Sequence, residues 1–273
     1  MSSTDLALRA RAGDRAALEA LVSGLQDLVF RLALRFVRDR EHARDATQEI
    51  LVLVMTKLST FRAESSVETW VYRIASRHLL RARARGRKIT FESMVEDDLA
   101  KPAGAIDPST LASADARMLE EEVFLGCTQA MLQALEPSAR LAFVLGALCE
   151  LDAASAAYAL GITEAAFKKR LSRARKTLDT FMSAHCGVAN PTAPCRCVNQ
   201  VNHAVAKGRL DPSAVGRLPP PARTSLETLR AHREIDRVRR SLAIYQAQPA
   251  SKAPDELAAH VRAAVGAARI FDA

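Results

Sequence analysis

Residues 152–178 constrain the fold more tightly than any other part of the chain. Asp152 is placed to accept from the free N–H groups of a helix beginning beside it. Leu160-Gly161 supplies the stop, since glycine enters the left-handed turn at little steric cost. Thr163 can cap a second helix at once. In that helix Phe167, Leu171, Ala174 and Leu178 follow at i, i+4, i+7 and i+11, which predicts one buried stripe. Lys168, Lys169, Ser172, Arg173 and Lys176 fall on the other side. Residues 168–176 hold six basic side chains and no acid, whereas an ordinary solvated face mixes both signs. Lys and Arg on phosphates would position such a helix, and one or two side chains would reach base edges. The segment is therefore expected to be a helix-turn-helix that reads duplex DNA.

The same helical rhythm runs through the first part of the chain. Leu21, Leu25, Leu28, Val29, Leu32 and Phe36 predict a helix over 16–38 with one buried side. Asp39 caps the next, which reaches about Leu58 with Ala46, Ile50, Leu53 and Val54 on its apolar side. A break at 59–66 precedes a helix from Val67 to about Arg85. Aromatic residues are 5% of the chain and apolar residues 49%, so a packed, all-α core fits better than sheets.

Composition changes at 91–116. Glu92, Glu96, Asp97, Asp98 and Asp107 oppose the lone Lys101, while Pro102, Gly104 and Pro108 interrupt helix formation. The expected organisation is a helical domain at 1–90, a flexible acidic linker at 91–116 and a helix-turn-helix domain at 117–183. A Cys- and Pro-containing segment at 184–221 and a helical C-terminal extension at 222–273 complete it. The start, Met1-Ser2-Ser3-Thr4-Asp5, lacks a basic and apolar leader, and no stretch approaches membrane-spanning length. A cytoplasmic location without membrane contact is expected, so the thiols are not assumed to be disulfides.

Charge is uneven along the chain. Against 31 acids stand 39 Lys and Arg, a net +8, which suits a polyanionic partner once it is clustered. Residues 73–88 form a second acid-free basic block, with Arg73 and Arg77 at its start and Phe61, Trp70 and Tyr72 just before it. Rings beside cations suit opened DNA, because bases stack on rings while phosphates meet Arg. Packing of Trp70 in the core is the alternative for that ring. Asp45, Gln48 and Glu49 stand at i, i+3 and i+4 opposite the apolar stripe of their helix, as a solvated face or a partner surface.

The runs Asp45-Ala-Thr-Gln48-Glu49, Phe61-Arg62-Ala63-Glu64-Ser65-Ser66 and Thr69-Trp70-Val71-Tyr72-Arg73-Ile74-Ala75 resemble conserved region two of bacterial RNA polymerase sigma factors. The resemblance is closest to the extracytoplasmic-function class. Residues 135–178, with Leu160-Gly161-Ile162-Thr163 and Lys169-Arg170-Leu171-Ser172-Arg173-Ala174-Arg175, resemble region four of that class. What the resemblance implies is a promoter-specificity subunit, not an enzyme. Asp45, Gln48 and Glu49 would face the clamp helices of the polymerase core. Phe61, Arg62, Glu64, Ser65 and Ser66 would capture a flipped base of the minus-ten element, and Trp70, Arg73 and Arg77 would hold the opened strand. Lys168, Lys169, Ser172 and Arg173 would read the minus-thirty-five element. An anti-sigma factor is a further partner to be considered.

His185, Cys186, Cys195, Cys197 and His203 gather three thiols and two imidazoles in nineteen residues, with Asn190-Pro191 and Pro194 folding the chain back. A Cys₃His set suits tetrahedral zinc, and a reversible disulfide or an inert turn are rivals. Cys127 and Cys149 lie among apolar residues as core fillers. No catalytic set and no obligatory cofactor are read from the sequence. Two other functions stay open: a polymerase-independent helix-turn-helix regulator, and a metal or redox sensor with a DNA-binding output.

Overall fold

A computed structural model describes residues 2–37, 39–81, 89–99 and 113–211, with short stretches between 242 and 263. The architecture is all-α, as expected. The chain divides into two compact units. One draws on residues within 1–86, 137–171 and 250–273, the other on 87–136 and 172–249.

The first unit begins with α1 (Ser3–Arg11), α2 (Arg15–Val37) and α3 (Arg40–Thr56). Ser2 and Asp5 cap α1 reciprocally, and Asp39 caps α3 by accepting from His42 N–H at 2.8 Å. α2 buries Leu18, Leu21, Leu25, Val29 and Leu32 along one side, as its periodicity predicts. A short 3₁₀ turn (Leu58–Thr60) leads through the loop to α4 (Val67–Arg81). The predicted helix to Arg85, and the basic residues Arg83, Arg85, Arg87 and Lys88, extend beyond the described residues.

Two further pieces complete this unit. α7 (Pro137–Phe143) widens into a π-type turn (Val144–Leu148) and is followed by α8 (Ala153–Leu160). The buried Arg140 donates from Nη1 to the Phe36 carbonyl at 2.7 Å, satisfying a free acceptor in the last turn of α2. α8 packs against α4. Its Ala156, Ala157 and Ala159 are buried, and their small side chains let the two backbones approach closely. Near the C-terminus Leu257 enters the same core. Beside it Ala253 N–H donates to Asp27 Oδ1 at 2.8 Å, and Glu256 lies 3.9 Å from Arg44.

The second unit holds α5 (Phe91–Met94), a π-type turn (Val95–Leu99), α6 (Ser113–Ala134) and α10 (Cys197–Ala206). The sequence predicts an irregular linker from residue 91. The structure instead starts it with α5, because Thr90 and Ser93 cap each other and Phe91 stacks on Phe181 at 4.8 Å. α10 packs on α6, with Val201 and Leu119 buried between them. Tyr245 adds a hydrogen bond from its hydroxyl to the Thr128 carbonyl at 3.3 Å. Among the described residues no helix is long and apolar enough to cross a membrane.

Candidate nucleic-acid and partner interface

α9 (Glu164–His185) carries the basic face. Its entry is built as the sequence predicts. Asp152 caps α8, Gly161 takes the left-handed conformation at φ 66°, and Thr163 Oγ1 accepts from Ala166 N–H at 3.2 Å. Phe167, Ala174 and Leu178 are buried and Leu171 is half-buried, so the other side is turned out. Lys168, Lys169, Ser172, Arg173, Arg175 and Lys176 are all exposed. Lys168 is 3.5 Å from Glu164 one turn earlier, a surface pair worth little in water. Among the described residues no acid pairs with Lys169, Arg173, Arg175 or Lys176.

One determinant of this arrangement escaped the sequence reading. A Cβ at Gly146 would sit 2.7 Å from Phe167 Cζ and 2.9 Å from Leu171 Cδ2. The stripe of α9 therefore rests directly on backbone in the preceding π-type turn. An isolated glycine in an apolar helix was the available signal.

On α3, Asp45 and Glu49 are exposed and Gln48 is half-buried, a strip continued one turn on by exposed Val52. Glu49 is met by His78 Nε2 from α4 at 3.4 Å. This contact ties Glu49 of α3 to α4.

The loop 61–66 presents Arg62, Glu64 and Ser66 to solvent, with Ser65 half-buried. Ala63 adopts φ 55°, a left-handed conformation that L-residues with a Cβ resist. Both ends are anchored. Arg11 Nη1 donates to the Phe61 carbonyl at 2.5 Å, and Ser66 Oγ accepts from Thr69 N–H at 3.1 Å. Arg11 lies far away in sequence and carried no signal of this role.

The aromatic residues are placed differently from the expectation. Phe61 and Trp70 are buried, their centroids 5.4 Å apart in a tilted pair, so neither ring is open for a base to stack on. The correction has a simple cause. Trp70 follows Val67 and precedes Val71 on the face that α4 buries, and helical register overrides its kinship with the cations. Tyr72 is largely enclosed, and burial pushes its phenol well above the ordinary range, with Cys149 beside it. Burial likewise pushes the Cys149 thiol up. Both are neutral near pH 7.

Of the strand-holding arginines, Arg77 is exposed. Arg73 is half-buried, its guanidinium 4.4 Å from the centroid of Tyr158 on α8. The cation and ring form a cation–π contact.

The cysteine segment closes on itself. Cys186 and Cys195 pair in a parallel bridge, with Cys195 N–H donating to the His185 carbonyl at 3.1 Å and Gly187 N–H to the Cys195 carbonyl at 3.0 Å. His185 turns toward Phe181, with ring centroids 4.8 Å apart. Among the described residues no three His, Cys, Asp or Glu side chains converge as a metal ion requires.

Comparison with known proteins bears on the same segments. Residues 21–89 match the family model described as Sigma-70 region 2, and residues 125–178 that described as Sigma-70, region 4. The chain is 29% identical over 175 residues to the RNA polymerase sigma-H factor of Pseudomonas aeruginosa, covering 63% of this chain and 89% of that one. It is 31% identical over 179 residues to the ECF RNA polymerase sigma factor SigC of Mycobacterium tuberculosis, covering 64% and 88%. With the ECF RNA polymerase sigma-E factor of Escherichia coli K12 it shares 27% over 174 residues, covering 63% and 89%. With both blocks matched in order, and nearly nine-tenths of a relative above 30% identity covered, the chain belongs to the sigma-70 family of RNA polymerase sigma factors, in its extracytoplasmic-function class.

Proposed function

We propose that this protein is a dissociable specificity subunit of bacterial RNA polymerase, directing the core enzyme to promoters and helping to open the DNA without catalysing a reaction itself. The observation that carries this is the exposed face of α9 within the region 4 segment, where residues 168–176 hold six basic side chains and no acid. The strip Asp45, Gln48 and Glu49 then faces the core, and Lys168, Lys169, Ser172 and Arg173 read the upstream element. The exposed side chains of 61–66 receive a flipped base, and Arg73 and Arg77 hold the strand. Phe61 and Trp70 support that loop from the core. An anti-sigma factor would compete for these same faces.

Run-off transcription with purified core polymerase tests the proposal. Promoter-dependent product should appear only when the protein is added. Lys169→Ala with Arg173→Ala should weaken promoter binding and flatten its salt dependence, by a log–log slope of about 2 for two lost phosphate contacts. Asp45→Ala with Gln48→Ala should weaken core binding and leave helicity unchanged. Failure to recruit polymerase on varied templates, with duplex binding intact, would favour a polymerase-independent regulator.

A further inference from the structure

The segment 186–197 is more heavily constructed than a connection needs to be. Asn190 donates from Nδ2 to the Ser183 carbonyl at 2.8 Å, and its Oδ1 accepts from Thr192 N–H at 3.2 Å. The Arg196 guanidinium donates to the carbonyls of Pro191 at 2.8 Å and Cys195 at 2.9 Å, and also to that of Ala193. A Cβ at Gly187 would lie 2.3 Å from the Cys195 carbonyl oxygen, so only glycine lets the two passes of chain come this close. Asn190 N–H returns to the Cys186 carbonyl at 2.8 Å. These bonds fix the loop between residues 186 and 195, and the bridge joins its two ends.

That placement has a chemical consequence. Adjacent strands lie about 4.8 Å apart, and partners in one rung point to the same side. Disulfides span Cα separations of about 4.4–6.8 Å, so the spacing of a bridge meets the Cα condition, and closure then needs the two Cβ atoms to draw to about 3.5–4.5 Å. Both residues are half-buried, and neither is in a disulfide. Cys197 follows Cys195 by two residues and is buried, and Cys127 of α6 belongs to the same electrostatic neighbourhood. Burial holds the Cys197 thiol well above its ordinary range, which makes it the poorer nucleophile.

We propose that Cys186 and Cys195 are a dithiol that hydroperoxides convert to a reversible intramolecular disulfide, fastening the exit of α9 to the entry of α10. One sulfur, as thiolate, attacks the peroxide and breaks its O–O bond, becoming a sulfenic acid and releasing water or an alcohol. The second sulfur attacks the first, the S–O bond breaks, and water leaves with the second thiol's proton. Two electrons pass from the sulfurs to the peroxide, and a dithiol reductant returns them. Burial raises the Cys186 thiol too, so the reaction draws its advantage from fixed geometry, not from a ready thiolate. The proposal rests on residues 183–197 and stands or falls apart from the polymerase reading.

The test treats the full chain with hydrogen peroxide, then counts thiols and maps peptides. Five thiols per chain should fall to three, return to five with dithiothreitol, and yield one linked pair of peptides containing Cys186 and Cys195. Cys186→Ser and Cys195→Ser should each abolish that linkage, while Cys127→Ser and Cys149→Ser retain it. Five thiols surviving oxidation, or a linkage running through Cys197 or Cys127 instead, would overturn the proposal. Zinc that copurifies and shields the same thiols would overturn it as well. The wild-type peptide map decides the matter even if a serine variant fails to fold.

Discussion

Asp152 shows how one carboxylate starts the DNA-facing half of the fold. It accepts from Ser155 N–H at 2.9 Å and from Ser155 Oγ at 2.7 Å, and these bonds hold its carboxyl below the usual range. A carboxyl depressed in the folded state adds stability above its unfolded pKa of about 3.9 and loses it as pH falls through the folded value. Asp152→Asn keeps an oxygen to cap α8 but cannot be protonated away. The thermal midpoint of wild type should therefore fall relative to the variant as the pH drops below about 4. Parallel midpoints across that range would refute the assignment. The cap was legible in the sequence because it needs only local chemistry. Arg11 and His78 were not, since each acts on a residue distant along the chain.

At the scale of elements, α9 is positioned by what lies beneath it. Phe167 and Leu171 press on Gly146, where a methyl group would come within 3.0 Å of both side chains. Gly146→Ala should force the helix outward and destabilise the protein by about 1–3 kcal/mol, as overpacking does. Denaturant unfolding measures this, and a neutral result would mean that the two side chains simply turn aside. The two faces of α9 were readable from spacing, because periodicity determines which side chains share a side. Periodicity also explains why Phe61 and Trp70 are core residues and not stacking platforms. Composition placed them among cations, but register places Trp70 on the buried side of α4, and Phe61 packs with it.

In the first unit as a whole, α8 lies on α4 and engages Arg73 through Tyr158. If Arg73 grips the opened strand, the ring and the phosphate compete for one guanidinium. Removing a cation–π contact worth about 1 kcal/mol should tighten binding of a minus-ten single strand about fivefold. Fluorescence anisotropy of Tyr158→Ala with a labelled oligonucleotide measures that change. Unaltered affinity would mean that Arg73 serves packing alone.

By itself the sequence determined the all-α class, the capped turn at 152–163, the two faces of α9 and the order of the sigma-type blocks. The first three follow from local propensity and from spacing within one helix, and the last from the resemblance of residue runs to a known family. Only the tertiary structure decided which aromatics are core, that alanines 156, 157 and 159 bring α8 onto α4, and that Cys195 meets Cys186. Those outcomes depend on distances between segments remote in the chain, where packing and hydrogen-bond closure choose among contacts that the sequence leaves equally open.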